Sequence, residues 1–168
     1  MVKKTHGPEI LFPALPGTVN AASPPGRCPM KVSEAMTGSP VAVPAETPVR
    51  DVLALLETME IRHLPVVDDR GVLLGLVSER DLHSFYAPRA ELAGDWAEQA
   101  RAKLNEPVSR IMTRRPTVVG DDTPLTTAIQ ILLREKVSAV PVVHNDKVVG
   151  IVSYVDLLRL LHTMLERT

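Results

Sequence analysis

Apolar residues fall along this chain in two rhythms, each of which occurs twice. Val49, Val52, Leu53 and Leu56 have the i, i+3, i+4, i+7 spacing of a half-buried helix, and so do Leu125, Ala128, Ile129 and Leu132. Thr47 and Thr123 stand where N-caps belong, which puts Pro48 and Pro124 at the first helical position, where a missing N–H costs nothing. Ahead of each helix, Val41-Ala42-Val43 and Thr117-Val118-Val119 read as short strands. Behind each come two β-rich runs joined by a polar turn, Leu64 to Val67 with Val72 to Val77, and Val140 to Val143 with Val148 to Val152, the signature of a hairpin. Pro65 and Pro141 are expected at strand starts or sheet edges, because proline cannot donate within a ladder. A second helix starts near Asp81 and near Asp156. The predicted order is β-α-β-β-α, twice.

The duplication is also visible residue by residue. Pro40 and Pro116, Pro48 and Pro124, and Pro65 and Pro141 are each 76 positions apart, as are Met36-Thr37 and Met112-Thr113, and Val32-Ser33 and Val108-Ser109. Beyond the third proline the offset falls to 75, matching Gly75, Ser78, Asp81 and Leu82 with Gly150, Ser153, Asp156 and Leu157. The lost residue falls between Asp68-Asp69-Arg70-Gly71 and His144-Asn145-Asp146-Lys147, where a turn tolerates it. Each copy is only about 50 residues, too small to be comfortable alone, so the stable unit is the pair. The expected organisation is a flexible Pro-rich tail over 1–29, a first repeat over 30–83, an inserted helical linker over 84–105, and a second repeat with its C-terminal helix over 106–168. Ala93, Trp96, Ala97, Ala100 and Leu104 give the linker its helical spacing between Pro88 and Pro107. In the last helix, Leu157, Leu158, Leu160, Leu161, Met164 and Leu165 make an apolar surface wide enough to reach beyond its own repeat, pointing to a homodimer.

Composition narrows the function. Nineteen Lys and Arg against 20 Asp and Glu leave a formal net charge of −1, and aromatic residues make up 3% of the chain, so neither the basic field nor the stacking platforms of a nucleic-acid binder are present. The only cysteine, Cys28, has no partner for an internal disulfide, and a reducing, cytoplasmic setting is expected. No apolar run approaches a membrane span, and the leader-like start, Lys3-Lys4 ahead of Ile10-Leu11-Phe12, is broken by Pro8, Glu9, Pro13, Pro16 and Gly17. His6, His83, His144 and His162 do not gather with a carboxylate on one helical face, so no metal site is expected, and neither motif serine sits in a nucleophile elbow.

Two segments carry candidate chemistry: Gly75-Leu76-Val77-Ser78-Glu79-Arg80-Asp81 and Gly150-Ile151-Val152-Ser153-Tyr154-Val155-Asp156. Each sets a Ser and an Asp at a strand-to-helix junction. As a capping box, this pair needs no ligand. As a binding site, the helix start offers N–H groups to a phosphate and the carboxylate accepts both hydroxyls of a ribose. The two uses are compatible.

With Val-Ser-x-x-Met-Thr opening each copy, Leu64-Pro65-Val66-Val67 and Val140-Pro141-Val142-Val143 within them, and Gly-x-x-Ser-x-x-Asp near each end, the chain resembles a tandem pair of cystathionine-β-synthase-type (CBS) domains, a Bateman module, over residues 30–83 and 106–161. The resemblance implies an α/β (α+β) fold of two β-α-β-β-α repeats packed as a pseudo-symmetric pair. It implies a stand-alone sensor without catalysis. Adenosine-containing ligands (AMP, ADP, ATP, S-adenosylmethionine or NAD) would bind in clefts between the copies and control an effector protein in trans. Carried over, one site joins Ser153 and Asp156 with Thr37, Val41 and Ile61, and the other joins Ser78 and Asp81 with Thr113, Thr117 and Val137. Where many members have a second Ser or Thr just before the Asp, this chain has Arg80 in one copy and Val155 in the other. Arg80 can fork to a phosphate and Val155 cannot. Arg62, His63, Arg114 and Arg115 are further candidate phosphate contacts. The competing expectation is an interaction module with empty clefts, in which the Ser-x-x-Asp pairs are caps alone.

Overall fold

The structure, a computed structural model, describes residues 30–86 and 96–167. The tail expected over 1–29, together with Cys28, Ala93 and Pro88, lies outside the described residues. Among the described residues, fifteen short elements follow one another in the duplicated order. The first copy supplies a single 3₁₀ turn at Val32–Glu34, then β1 (Thr37–Gly38), β2 (Val43–Pro44), α1 (Val49–Thr58), β3 (His63–Val67), β4 (Leu73–Ser78) and α2 (Glu79–Tyr86). After α3 (Trp96–Leu104), the second supplies a 3₁₀ turn at Val108–Arg110, β5 (Thr113–Arg114), β6 (Val119–Gly120), α4 (Leu125–Glu135), β7 (Ala139–His144), β8 (Lys147–Ser153) and α5 (Tyr154–Glu166).

Two mixed four-stranded sheets result, in the orders β2-β3-β4-β5 and β1-β8-β7-β6. The opening segments have changed places. Strand β1 of the first copy pairs antiparallel with β8 of the second, Thr37 opposite Ile151, and β5 of the second pairs antiparallel with β4 of the first, Thr113 opposite Leu76. The cores follow the exchange. Val32 is fully buried among Val119, Leu125, Ala128, Leu132, Val140, Val142 and Val152, whereas Val108 is fully buried among Val43, Val49, Val52, Leu56, Leu64, Val66, Val77 and Leu82. Each packed unit is thus a mosaic of both sequence copies.

The exchange explains how α1 and α4 begin. Pro48 and Pro124 are not the first helical residues; they keep an extended backbone (ψ 143° and 132°) just ahead of Val49 and Leu125, and Thr47 and Thr123 make no side-chain cap. The leading N–H groups are instead satisfied by the visiting segments: Val49 N donates to Glu106 O at 2.9 Å and Leu125 N to Met30 O at 2.8 Å. The Thr123 hydroxyl accepts from Gly120 N at 3.1 Å and so closes the preceding turn. The helical stripes bury Val49, Val52 and Leu56, and Leu125, Ala128 and Leu132, with Leu53 and Ile129 half-buried beside them.

The leading strands are shorter than their sequences promise. Only Val43–Pro44 and Val119–Gly120 join the sheets, parallel to β3 and β7. Pro65 and Pro141 are third residues of internal strands, neither starts nor edges. They are tolerated because β2 and β6 pair only from Val66 and Val142 onward, leaving each proline a strand partner on one side alone.

Helix α3 falls between the two copies. Leu104 packs on the first core, and Lys103 donates from Nζ to Phe85 O at 2.9 Å while lying 5.4 Å from the centre of the Phe85 ring. Residues 84–86 continue α2 rather than beginning the linker. Among the described residues, no helix is long and apolar enough to cross a membrane.

Candidate functional site

The β4–α2 and β8–α5 junctions are the same device built twice. Ser153 N donates to Asp156 Oδ2 at 2.8 Å and Asp156 N to Ser153 Oγ at 3.4 Å; the Ser153 hydroxyl also donates to Asp156 Oδ2 at 2.5 Å. Ser78 and Asp81 repeat the arrangement at 2.8, 3.3 and 2.6 Å. Both pairs are therefore capping boxes that fix the carboxylate over its helix start. They differ at the remaining oxygen. Asp156 Oδ1 accepts from the Thr37 hydroxyl at 2.9 Å, delivered by the exchanged β1, and lies 3.8 Å from Arg159. Asp81 Oδ1 accepts no hydrogen bond among the described residues, and Thr113, which corresponds to Thr37, does not close on it.

Around Asp81 the structure opens a cavity of about 540 Å³. Its walls bring together Ser78, Arg80 and Asp81 with Arg62 and His63 from the first copy, and Thr113, Arg115, Thr117 and Val137 from the second. The sequence missed Glu79, Glu135 and Lys136, which line the same space together with Leu76, Pro116, Ser138 and Ala139. The usable signal was the 76-residue offset, which aligns Glu135 and Lys136 with Met59 and Glu60 of the other copy. Arg114, the remaining candidate cation, does not line this cavity. Its guanidinium donates to Ser109 O at 3.2 Å, because alternation along β5 turns Arg114 away from the side that Thr113 serves.

The second candidate set is only partly assembled. Ser153, Asp156 and Thr37 are in direct contact, whereas Val41 and Ile61 are half-buried against the first core, at the positions that correspond to Thr117 and Val137.

Four cations (Arg62, Arg80, Arg115 and Lys136) and three carboxylates (Glu79, Asp81 and Glu135) line the open cavity. The Thr117 hydroxyl donates to Glu135 Oε2 at 2.6 Å, and this bond, with Arg134 adding to it, holds the Glu135 carboxyl below its usual range. Asp81 is engaged by its own cap. None of the four cations forms a side-chain hydrogen bond or ion pair with another described residue. His63 stands between the two junctions, its Nε2 at 2.6 Å from Ser138 Oγ of the other copy. Burial lowers its pKa below the ordinary histidine value, an effect Arg62 reinforces and Asp81, Asp156 and Glu79 oppose. Among the described residues, no three His, Cys, Asp or Glu side chains gather as a metal site would require.

The CBS domain family model matches residues 32–87 and 108–163, and the chain belongs to that family. Solved structures agree. A putative acetoin utilization protein (AcuB) from Vibrio cholerae is 28% identical with a TM-score of 0.70, the match covering 83% of this chain and 95% of that one. CBSX2 of Arabidopsis thaliana, solved in complex with AMP, is 30% identical with a TM-score of 0.67 over 80% of this chain and 97% of that one. The CBS domain pair of protein MJ0100, solved with 5′-methylthioadenosine and S-adenosyl-L-methionine, is 25% identical with a TM-score of 0.66 over 82% and 99%. The chain spans 46% of a curated relative from Thermofilum pendens and 31% of one from Methanocaldococcus jannaschii.

Proposed function

We propose that this CBS pair is a regulatory module that takes an adenosine-containing ligand in the cleft around Asp81 and passes the resulting geometry to an effector protein in trans. The observation that carries this reading is the cavity itself. It lies where the first copy's capped helix start meets the second copy's Thr113-to-Thr117 segment, so a ligand there bridges both copies and stabilises one arrangement of them. Asp81, with Oδ1 available, suits the two hydroxyls of a ribose. Val137, Leu76 and Pro116 offer an apolar wall for a base, and the unpaired cations suit a phosphate. The AMP in CBSX2 and the adenosyl compounds in MJ0100 support the ligand class.

Two copies of the chain pair through α5, whose Leu158, Leu161, Met164 and Leu165 stand exposed.

A thermal-shift panel of AMP, ADP, ATP, S-adenosylmethionine, NAD and adenosine tests the reading. At a hundred times Kd, one bound ligand adds about 2.7 kcal/mol, roughly 5–10 °C in Tm for a domain of this size. Asp81→Ala is expected to abolish that shift. An unchanged Tm with every compound favours the interaction module, a reading that has the self-sufficient capping boxes in its favour.

A further inference from the structure

The two copies put different chemistry at matching points of their clefts. Ser39 and Arg115 are 76 positions apart and share one left-handed backbone conformation (φ 48° and 49°), each following an exchanged strand. Glu60 and Lys136 are also 76 apart, with φ of 52° and 54°, each just past the end of a copy's first helix. Arg80 and Val155 match at the helix starts. Because the backbones coincide, the side chains leave it at equivalent places. At all three the first cleft has a cation and the second has a hydroxyl, a carboxylate or an alkyl group. At two flanking points the first cleft has Glu79 and Glu135, where the second has Tyr154 and Met59, both more than 40% exposed.

We infer that the chain binds one polyphosphate-bearing ligand, in the first cleft alone, and that Arg80, Arg115 and Lys136 set both the preference and the stoichiometry. An open cavity whose cations are left without partners has a positive field that only an anion relieves, and low-dielectric walls focus that field. Three cations approaching from α2, the segment after β5 and the end of α4 surround a chain of phosphates rather than one. In the second cleft a phosphate would meet Glu60 and Asp156, whose Oδ1 already accepts from Thr37; Val155 and Ser39 supply no charge, and Arg159, the cation there, lies 3.8 Å from the Asp156 carboxylate. The inference rests on the proposed function for the adenosine half of the ligand, but not for its anionic half.

The test is calorimetric titration of the full chain with inorganic triphosphate, ATP and adenosine. Expected are one equivalent of triphosphate per chain, competition between triphosphate and ATP, and ATP binding far tighter than adenosine. Arg115→Ser with Lys136→Glu, which installs the second cleft's residues in the first, is expected to weaken triphosphate binding at least about a hundredfold. The reciprocal Ser39→Arg, Glu60→Lys, Val155→Arg variant is expected to take up a second equivalent. All five of these side chains are exposed, and a melting curve for each variant checks that the fold persists. No uptake of triphosphate, two equal equivalents in the unaltered chain, or a double variant that binds as before would overturn the inference. If adenosine binds as tightly as ATP and Asp81→Ala abolishes it, the proposed function stands and this inference falls. If triphosphate binds and every adenosine compound is rejected, the inference stands and the adenosine reading falls.

Discussion

Gly75 and Gly150 each let an exchanged strand pass against the sheet, yet they do not bear the contact equally. A Cβ on Gly75 would lie 2.6 Å from Met112 Sδ and 2.8 Å from Thr113 O, a backbone atom that cannot yield. On Gly150 its three nearest neighbours would all be side-chain atoms of Met36, which can turn aside. Gly75→Ala is therefore expected to cost about 1–3 kcal/mol and Gly150→Ala clearly less, read from urea midpoints of the two variants. These contacts also give the Met of each Met-Thr pair its purpose, as a lid over the glycine of the other copy. His63 sets a second expectation. Its folded-state pKa is depressed, so below about pH 6.5, the ordinary histidine value, the unfolded chain binds protons that the folded chain declines. Stability falls as pH drops from there until the folded-state pKa is reached. Melting curves across pH 5–8 for the unaltered chain and for His63→Gln are expected to differ in this slope, the variant being flatter.

At the scale of elements, the capping boxes are legible in the sequence because Ser-x-x-Asp is a local instruction: a residue three positions on folds back to its own helix start. Ser78→Ala is expected to destabilise by about 1 kcal/mol through the lost cap, and to weaken ligand binding because it frees the Asp81 carboxylate to swing. Thr37→Val should cost about 1–3 kcal/mol, since it withdraws a hydroxyl from a largely buried carboxylate, whereas Thr113→Val should leave stability almost unchanged. Paired denaturation curves separate the two. What the sequence hides is where each opening segment goes. Val32 and Val108 sit in nearly identical local sequences, so returning to their own sheet or crossing to the other satisfies the same apolar pattern, and only the three-dimensional pairing of Thr37 with Ile151 decides. The misplacement of Pro48 and Pro124 has the same origin, because the carbonyls that meet the N–H groups of Val49 and Leu125 come from far along the chain. Arg114 and Lys136 show a third kind of difficulty. Both look like ordinary solvent-facing cations; the pleat of a two-residue strand removes one from the cleft, and a left-handed turn at the end of α4 sends the other into it.

For the whole molecule, the exchange makes the two sheets mutually dependent. A chain starting at Ser39 would leave Val119, Leu132 and Val152 without the Val32 that fills their core, and the first N–H of α4 without Met30 O. Such a chain is expected not to fold, and the full chain to unfold in one transition with coincident probes on each sheet; two separated transitions would show the units to be independent. The exposed leucines of α5 lie outside this scheme. If the chain pairs through α5 as proposed, Leu161→Glu is expected to leave a folded monomer, measured by native mass spectrometry.

The crossing of the opening segments also governs the order of events during synthesis. The first copy leaves the ribosome with its helices and hairpin but without β5, which lies at Thr113–Arg114, beyond the whole linker, and its own leading residues are held for a sheet not yet made. Neither sheet can be completed on the nascent chain until Thr113 has emerged, and the second needs Ser153. A chain interrupted midway exposes an unfinished sheet edge, so strong translational pausing between residues 87 and 113 should favour its capture by chaperones or by another nascent copy.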